Sequence, residues 1–346
     1  MAAEGRGDEG GEPGVKVLFI GGTGVISEAC TQLAAGKGME LYLYNRGATR
    51  AALPEGVRVI RGDIRDVQGA LRSLGELEFD VVVDWIAYER AHVENDIRIF
   101  SGRTTQYVFI SSASVYQTPP AHYVVTESTP LSNPYWEYSR KKIECEMRLM
   151  DAWREDGFPA VVVRPSSTYG YRKLPGLICC GGWTLVNRLR QGKEIIVHGD
   201  GTSLWTFTHH RDFAEGFVGL LGEMRAVGHA FHITSDEVLT WNQICRTIAG
   251  AAGADAKIVH VPTDFIHGIY PDAAAGFMGE RSHSTVYDNS KIRTFVPGYR
   301  ASIPLREGVR ETVEWFDRTP EAQVVDEASE RMLEDIIRTY RRAFSA

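Results

Sequence analysis

A doubly wound α/β fold, with a parallel sheet and a smaller C-terminal substrate domain, is predicted by three features of the 346-residue chain. Six short apolar runs rich in β-branched residues recur in its first half: "VKVLFI" (15–20), "ELYLYN" (40–45), "VRVIRG" (57–62), "FDVVVDW" (79–85), "QYVFIS" (106–111) and "PAVVVRP" (159–165). Segments with helical spacing, such as "SEACTQLAAGKG" and "VQGALRSLGEL", lie between them. A glycine-rich turn follows the first run directly. Continuous apolar strands are buried on both faces, and crossover helices between them make neighbouring strands parallel.

Taken in order, residues 1–13 read as a disordered tail, without the charged-then-apolar pattern of a signal peptide. Residues 14–170 then form a dinucleotide-binding domain of the Rossmann type. In "FIGGTGVISEA", Gly21 and Gly24 stand three apart, just before the first helix. Glycines at this point let the backbone approach a pyrophosphate, which free N–H groups and the helix dipole then neutralise. Ser27 stands where a third glycine is common. The second run ends in "YNRGATR", which offers Arg46 and Arg50 but no acid for ribose hydroxyls. Arginine there suits a 2′-phosphate, so the cofactor is NAD or NADP with a lean to NADP. A solvated Arg46 is the competing reading. Asp63, in "GDIRD" after the third run, is placed to take an adenine amino group.

The fifth run ends in "FISSASVY", whose Ser111, Ser112 and Ser114 offer hydroxyls at a strand end. Farther on, "NPYWEYSRKKIECE" places Tyr138 and Lys142 four apart, on one face of a helix. A phenol is a poor base at neutral pH, and a nearby ammonium and an oxidised nicotinamide would lower its pKa. Such a pair can take a proton from a hydroxyl or return one to a ketone, while a serine hydroxyl holds the reacting oxygen.

After Gly170 the pattern loosens, and residues 171–320 read as an interleaved substrate domain. A segment near 205–235, ending in "HAFHIT", returns toward the main sheet. Tyr169 is a candidate pocket wall, and Arg172, Lys173, Arg188 and Arg190 could line an entrance. His209 and His210 suggest a metal, but neighbours on a strand face opposite ways, so no metal is expected. Residues 321–346 form a helical extension with Met332, Leu333, Ile336, Ile337 and Tyr340 on one face.

Bulk properties restrict the function. The net charge of −7 argues against a nucleic-acid partner, and no apolar run is long enough for a membrane span. Five cysteines without C-x-x-C spacing fit a reducing, cytoplasmic setting.

Together, "GGTG", "GDIRD", "SSASVY", "YSRKK", "RPSSTYG", "GDGTSLWTFTHHRDFA", "FHIT" and "DNSKI" make the chain resemble the extended short-chain dehydrogenase/reductases, the NAD-dependent epimerase/dehydratase family. The resemblance spans nearly the whole chain. It implies catalytic roles for Ser112, Tyr138 and Lys142, with Lys142 also holding the nicotinamide ribose. It implies cofactor contacts from Gly21, Thr23, Gly24, Val25, Ile26, Asn45, Arg46, Asp63, Ile64 and Pro165, and it implies a homodimer formed through the Tyr138 helix.

Two departures narrow the chemistry. Ala113-Ser114 follows Ser112 where 4,6-dehydratases of the family carry Asp-Glu. Trp205 stands where nucleotide-sugar enzymes carry an arginine for diphosphate. An indole can stack on a sugar or aromatic face but cannot pair with phosphate. The expected substrate is therefore a sugar-like small molecule (a glycoside, nucleoside or cyclitol) contacted by Ser114, Tyr169 and Trp205. An epimerase using transient oxidation is the leading expectation, and an NADPH-dependent ketone reductase or dehydrogenase is the alternative. A third reading is a non-catalytic nucleotide sensor or RNA-binding relative, which the intact Tyr/Lys pair and the acidic charge oppose.

Overall fold

The computed structural model describes residues 14–47 and 52–343. The expected tail and Arg50 lie outside the described residues. The nucleotide-side elements are β1 (Lys16–Ile20), α1 (Val25–Gly36), β2 (Glu40–Asn45), β3 (Arg58–Arg61), α2 (Val67–Leu74), β4 (Phe79–Asp84), α3 (Arg90–Phe100) and β5 (Thr104–Ile110). They continue with β6 (Val124–Val125), α4 (Glu137–Asp156), β7 (Ala160–Pro165) and β8 (Ser167–Tyr169). Next come α5 (Gly182–Arg190), β9 (Glu194–His198), β10 (Leu204–Trp205), β11 (Phe207–His209), α6 (His210–Val218) and β12 (Ala230–Ile233). The chain closes with β13 (Leu239–Thr240), α7 (Trp241–Ala251), β14 (Lys257–Val261), α8 (Thr263–Ile269), α9 (Pro271–Gly276), β15 (Val286–Tyr287), α10 (Ser290–Phe295), α11 (Leu305–Arg318) and α12 (Glu327–Ala343).

The main sheet has seven strands in the order β12-β7-β5-β4-β1-β2-β3, each pairing parallel. This is the doubly wound sheet that the apolar runs predict. Alternate residues feed opposite faces. Val17, Phe19, Val81 and Val83 pack with Phe213 and Phe217 of α6 on one side. Leu18, Ile20, Val82 and Phe109 pack with Leu74, Val93 and Leu149 on the other.

A separate core gathers Leu185, Ile196, Trp205, Trp241, Phe277, Val309 and Leu333 around short two-stranded pairings. The apolar face of α12 closes this core from the same chain, burying Leu333, Ile336 and Ile337. Each such side chain contributes about 1.5–3 kcal/mol relative to exposure. Ion pairs hold the helix in place, since buried Arg188 donates to Glu330 at 2.9 Å and Glu334 at 2.6 Å. Among the described residues no helix is long and apolar enough to cross a membrane.

Candidate active site

Two adjoining cavities, of about 440 and 460 Å³, form a cleft along the C-terminal ends of the central strands. Gly21, Thr23, Ile86 and Tyr88 line both. This is where a doubly wound sheet offers a ligand site, at the point where strand order reverses. Gly21 and Gly22 adopt φ of 101° and 89°. A Cβ on Gly22 would stand 2.7 Å from Leu43, and one on Gly21 would stand 3.2 Å from Ile86. Only glycine therefore keeps this turn tight. Gly24 caps α1, and the Ser27 hydroxyl accepts from the Gly24 N–H at 2.9 Å. Val25 and Ile26, in the first turn of α1, border the inner cavity. A glycine turn leading into a helix N-terminus inside a cleft fits a dinucleotide.

The outer cavity collects Asn45, Arg46, Asp63 and Ile64. The Asn45 side chain accepts from the Gly47 N–H at 2.9 Å and shapes the turn that presents Arg46. Arg46 is exposed. Pro165, Ser112, Tyr138 and Lys142 line the inner cavity together with Gly24.

Lys142 is 1% exposed. Its ammonium donates to the carbonyls of Ala87 at 2.6 Å and Ile110 at 2.7 Å. It lies 4.5 Å from the Tyr88 ring centroid and 5.8 Å from that of Tyr138. Burial lowers its pKa to about 8. The Tyr138 phenol is pushed up by burial, with Tyr88 and Glu280 adding to the rise and the neighbouring Ser112 hydroxyl opposing it. Lys142, expected to lower the phenol's pKa, directs its ammonium at the two backbone carbonyls.

Ser114, expected to contact substrate, stands behind Ser112. It is buried, donates to Ser112 Oγ at 3.0 Å and accepts from Ser139 Oγ at 2.7 Å. Trp205, also expected to contact substrate, is 0% exposed and stacks on Trp241 with centroids 6.0 Å apart, inside the second core. Tyr169 is 1% exposed and packs in the same core, edge-on to Phe207 and His209. Backbone pairing in β8, β10, β11 and β13 turns these aromatic rings inward, away from the cleft.

His210 Nδ1 donates at 3.0 Å to the Val25 carbonyl, joining α6 to the start of α1. Arg172 pairs with Glu28, Arg188 with Glu330 and Glu334, and Arg190 with Asp317, so three of the suggested entrance residues are committed to ion pairs. Lys173 alone of that set borders the inner cavity. Burial raises the thiols of Cys179 to about 11 and Cys180 to about 12, which disfavours thiolate chemistry.

Several residues around the site escaped sequence reasoning. Asp84, at the end of β4, accepts from the N–H groups of Ile86 and Ala87 at 2.5 and 2.8 Å. It thereby orders the loop whose carbonyl holds Lys142. Asp96 lies beside it, pushed well up by burial and by Asp84, and accepts from the Tyr107 hydroxyl at 2.6 Å. Trp136 packs on Tyr138 with centroids 4.8 Å apart. Asn133 ties Ser114 to a distant π-helical turn, donating to the Ser114 carbonyl at 2.8 Å and the Gly279 carbonyl at 2.6 Å. The only local signal is the Asn133-Pro134 pair before the helix, which marks a turn.

Comparison with known proteins places this geometry. The chain is 26% identical over 291 residues to 2'-dehydrokanamycin reductase of Streptomyces kanamyceticus, covering 84% of this chain and 81% of that protein. It is 26% identical over 273 residues to a chloroplast stem-loop binding protein of Arabidopsis thaliana, covering 73% and 68%. Among solved structures, dTDP-glucose 4,6-dehydratase of Bacillus anthracis in complex with NAD superposes with TM-score 0.71 at 18% identity, over 89% of this chain and 98% of that one. The epimerase Mth375 of Methanothermobacter thermautotrophicus superposes with TM-score 0.72 at 18% identity, covering 89% and 94%. The profile described as "NAD dependent epimerase/dehydratase family" matches residues 17–234, from β1 through β12. With its glycine turn, cleft and Tyr138/Lys142 helix inside that span, the chain belongs to the NAD dependent epimerase/dehydratase family of enzymes.

Proposed function

We propose that this protein interconverts a secondary carbinol and its ketone on a sugar-like small molecule, using Tyr138, Ser112 and Lys142. The observation that carries the reading is the convergence of those three side chains on the cleft wall shared with Gly21 and Gly24. Bound there, a nicotinamide dinucleotide supplies hydride exchange with the carbinol carbon. Tyr138 moves the proton at the substrate oxygen, and Ser112 holds that oxygen. Lys142 keeps one of its three N–H groups for a ribose hydroxyl after serving Ala87 and Ile110. Elimination of water is disfavoured, since buried Ala113 and Ser114 supply no carboxyl beside Ser112.

Two cycles use this site. In an epimerase, the ketone stays bound, turns its other face and returns to the carbinol with inverted configuration. The family description supports that cycle. In a reductase, the ketone is the substrate. Two observations favour that second reading: a Tyr138 phenol held protonated by burial, and Arg46 where a 2′-phosphate would bind. Kinship with a reductase of 2'-dehydrokanamycin adds an aminated sugar as the substrate class.

A homodimer through α4 belongs to the same reading, because Met147 on that helix is 59% exposed. Light scattering tests it. Mass analysis of the purified protein after gel filtration separates the two cycles. Tightly retained NAD supports epimerisation, whereas a site that exchanges NADPH freely supports reduction. Failure of any sugar-like carbinol or ketone to change the cofactor's redox state would overturn the proposal.

A further inference from the structure

Tyr138 borders two cavities. Besides the inner cavity that it lines with Ser112 and Lys142, it lines a third space of about 510 Å³. Tyr88 borders both as well, so the third space opens directly off the cleft. One wall is the approach to α4, with Tyr135 and Trp136, and the other is α9, which brings Asp272 and Ala275. Trp136 is held between the two walls. Its ring lies 4.8 Å from that of Tyr138, and a Cβ on Gly276 of α9 would stand 3.4 Å from its six-membered ring. Ala274 of α9 is buried in the second core, so the slot is framed by both cores of the protein.

Two of the aromatic rings in this slot stand open, with Tyr88 47% and Tyr135 40% exposed. Open aromatic faces beside a reacting hydroxyl give a ligand ring something to stack on, and they attract cations. The protein's own cations in the slot are already committed. Lys141 donates to Glu89 at 2.9 Å and pairs with Glu137 at 3.2 Å, and Arg140 donates to the Pro134 carbonyl at 3.0 Å. Asp272 is exposed, with no hydrogen bond or ion pair among the described residues. The slot therefore offers aromatic faces and one unbalanced carboxylate. An ammonium-bearing ring satisfies both, whereas a phosphate or a uronate would be repelled by the carboxylate.

We infer that this slot is a substrate subsite for a second, amine-bearing ring, joined to the ring whose carbinol or ketone meets Tyr138. Tyr135 stacks on that second ring and Asp272 pairs with its ammonium. The inference rests on the proposed redox function at Tyr138, and it adds that the substrate is a glycoside of two or more rings. A dimer through Met147 leaves the slot open, because Met147 lies about two and a half turns along α4 from Tyr138 and so on the opposite face.

Calorimetry on the cofactor-loaded protein tests this with kanamycin, which joins several amine-bearing rings, and glucosamine, which has one. The parent protein is expected to bind kanamycin at least about tenfold more tightly than glucosamine. Tyr135→Ala and Asp272→Asn should each weaken kanamycin binding by about fivefold or more, with glucosamine and cofactor affinity held within about twofold. Both side chains are exposed, so the variants should fold, and melting curves check that they do. Kanamycin bound no better than glucosamine, no binding of kanamycin by the parent, or variants that bind it as the parent does would each overturn the inference. Redox change of the cofactor with sugar carbinols and ketones is read separately. Kanamycin binding that depends on Tyr135 and Asp272, without hydride exchange on any of them, would leave the subsite standing and sink the redox function. Hydride exchange on a single-ring substrate, with kanamycin bound no better than glucosamine, would do the reverse.

Discussion

The ammonium of Lys142 donates at 2.6 Å to the carbonyl of Ala87, in the loop that Asp84 orders through two backbone N–H groups. The lysine at the base of the site is therefore anchored to the end of β4 as well as carried by α4. Its charge is held in a nearly dry setting, and this has consequences for pH dependence.

Burial lowers the Lys142 pKa to about 8 from 10.5. In the ketone-reducing direction, kcat/KM should fall with unit slope above about pH 8, as that charge is lost. For stability the sign is opposite. Between about pH 8 and 10.5 the unfolded chain binds more protons at this residue, so its contribution to stability rises with pH. Lys142→Met should remove both features and lower kcat/KM by about 10²-fold. A pH–rate profile and melting curves at several pH values check this.

The hydroxyl chain Ser139–Ser114–Ser112 predicts graded effects. Ser112→Ala removes the group proposed to hold the reacting oxygen and should cost about 10²–10³ in kcat. Ser114→Ala removes only the support behind it and should cost about tenfold, equivalent to one hydrogen bond of about 1.4 kcal/mol. Steady-state kinetics should show the loss in kcat for both, with KM little changed. Equal losses would mean that Ser114 meets substrate directly.

Trp205 offers a test of burial against contact. Trp205→Ala should destabilise the protein by about 3–5 kcal/mol through a cavity against Trp241. KM of the remaining folded enzyme should stay unchanged. Trp205→Phe should cost less, since the indole N–H has no hydrogen-bond partner to lose. Urea denaturation beside substrate titration separates the two effects.

Arg46 borders the outer cavity just past the C-terminal end of β2, where the strand ends in Asn45 and not in an acid. Arg46→Asp should shift preference from NADP toward NAD by at least tenfold, read as the ratio of cofactor dissociation constants. An unchanged ratio would show that Arg46 is only solvated surface.

The cleft was legible in the sequence because its determinants are local. The turn from Gly21 to Ile26 follows its strand directly, and Tyr138 and Lys142 are one helical turn apart. The strands were legible because burial on both faces leaves unbroken apolar runs. The burial of Trp205 was not legible because β10 has two residues, too few for alternation to reveal which side is covered. Trp241, its covering partner, arrives from a distant helix. Asn133 escaped because its role is tertiary: it bonds the Ser114 carbonyl on a neighbouring loop and the Gly279 carbonyl 146 residues farther along the chain.

The most direct test is Tyr138→Phe, measured as hydride exchange between cofactor and substrate at saturating concentrations of both. The phenol oxygen is lost while the ring keeps its packing on Trp136 and Tyr88. Turnover should fall by about 10²–10⁴-fold, with cofactor affinity and melting temperature preserved. A variant that turns over at the parent rate would contradict proton transfer by Tyr138, and with it the proposed chemistry of the site.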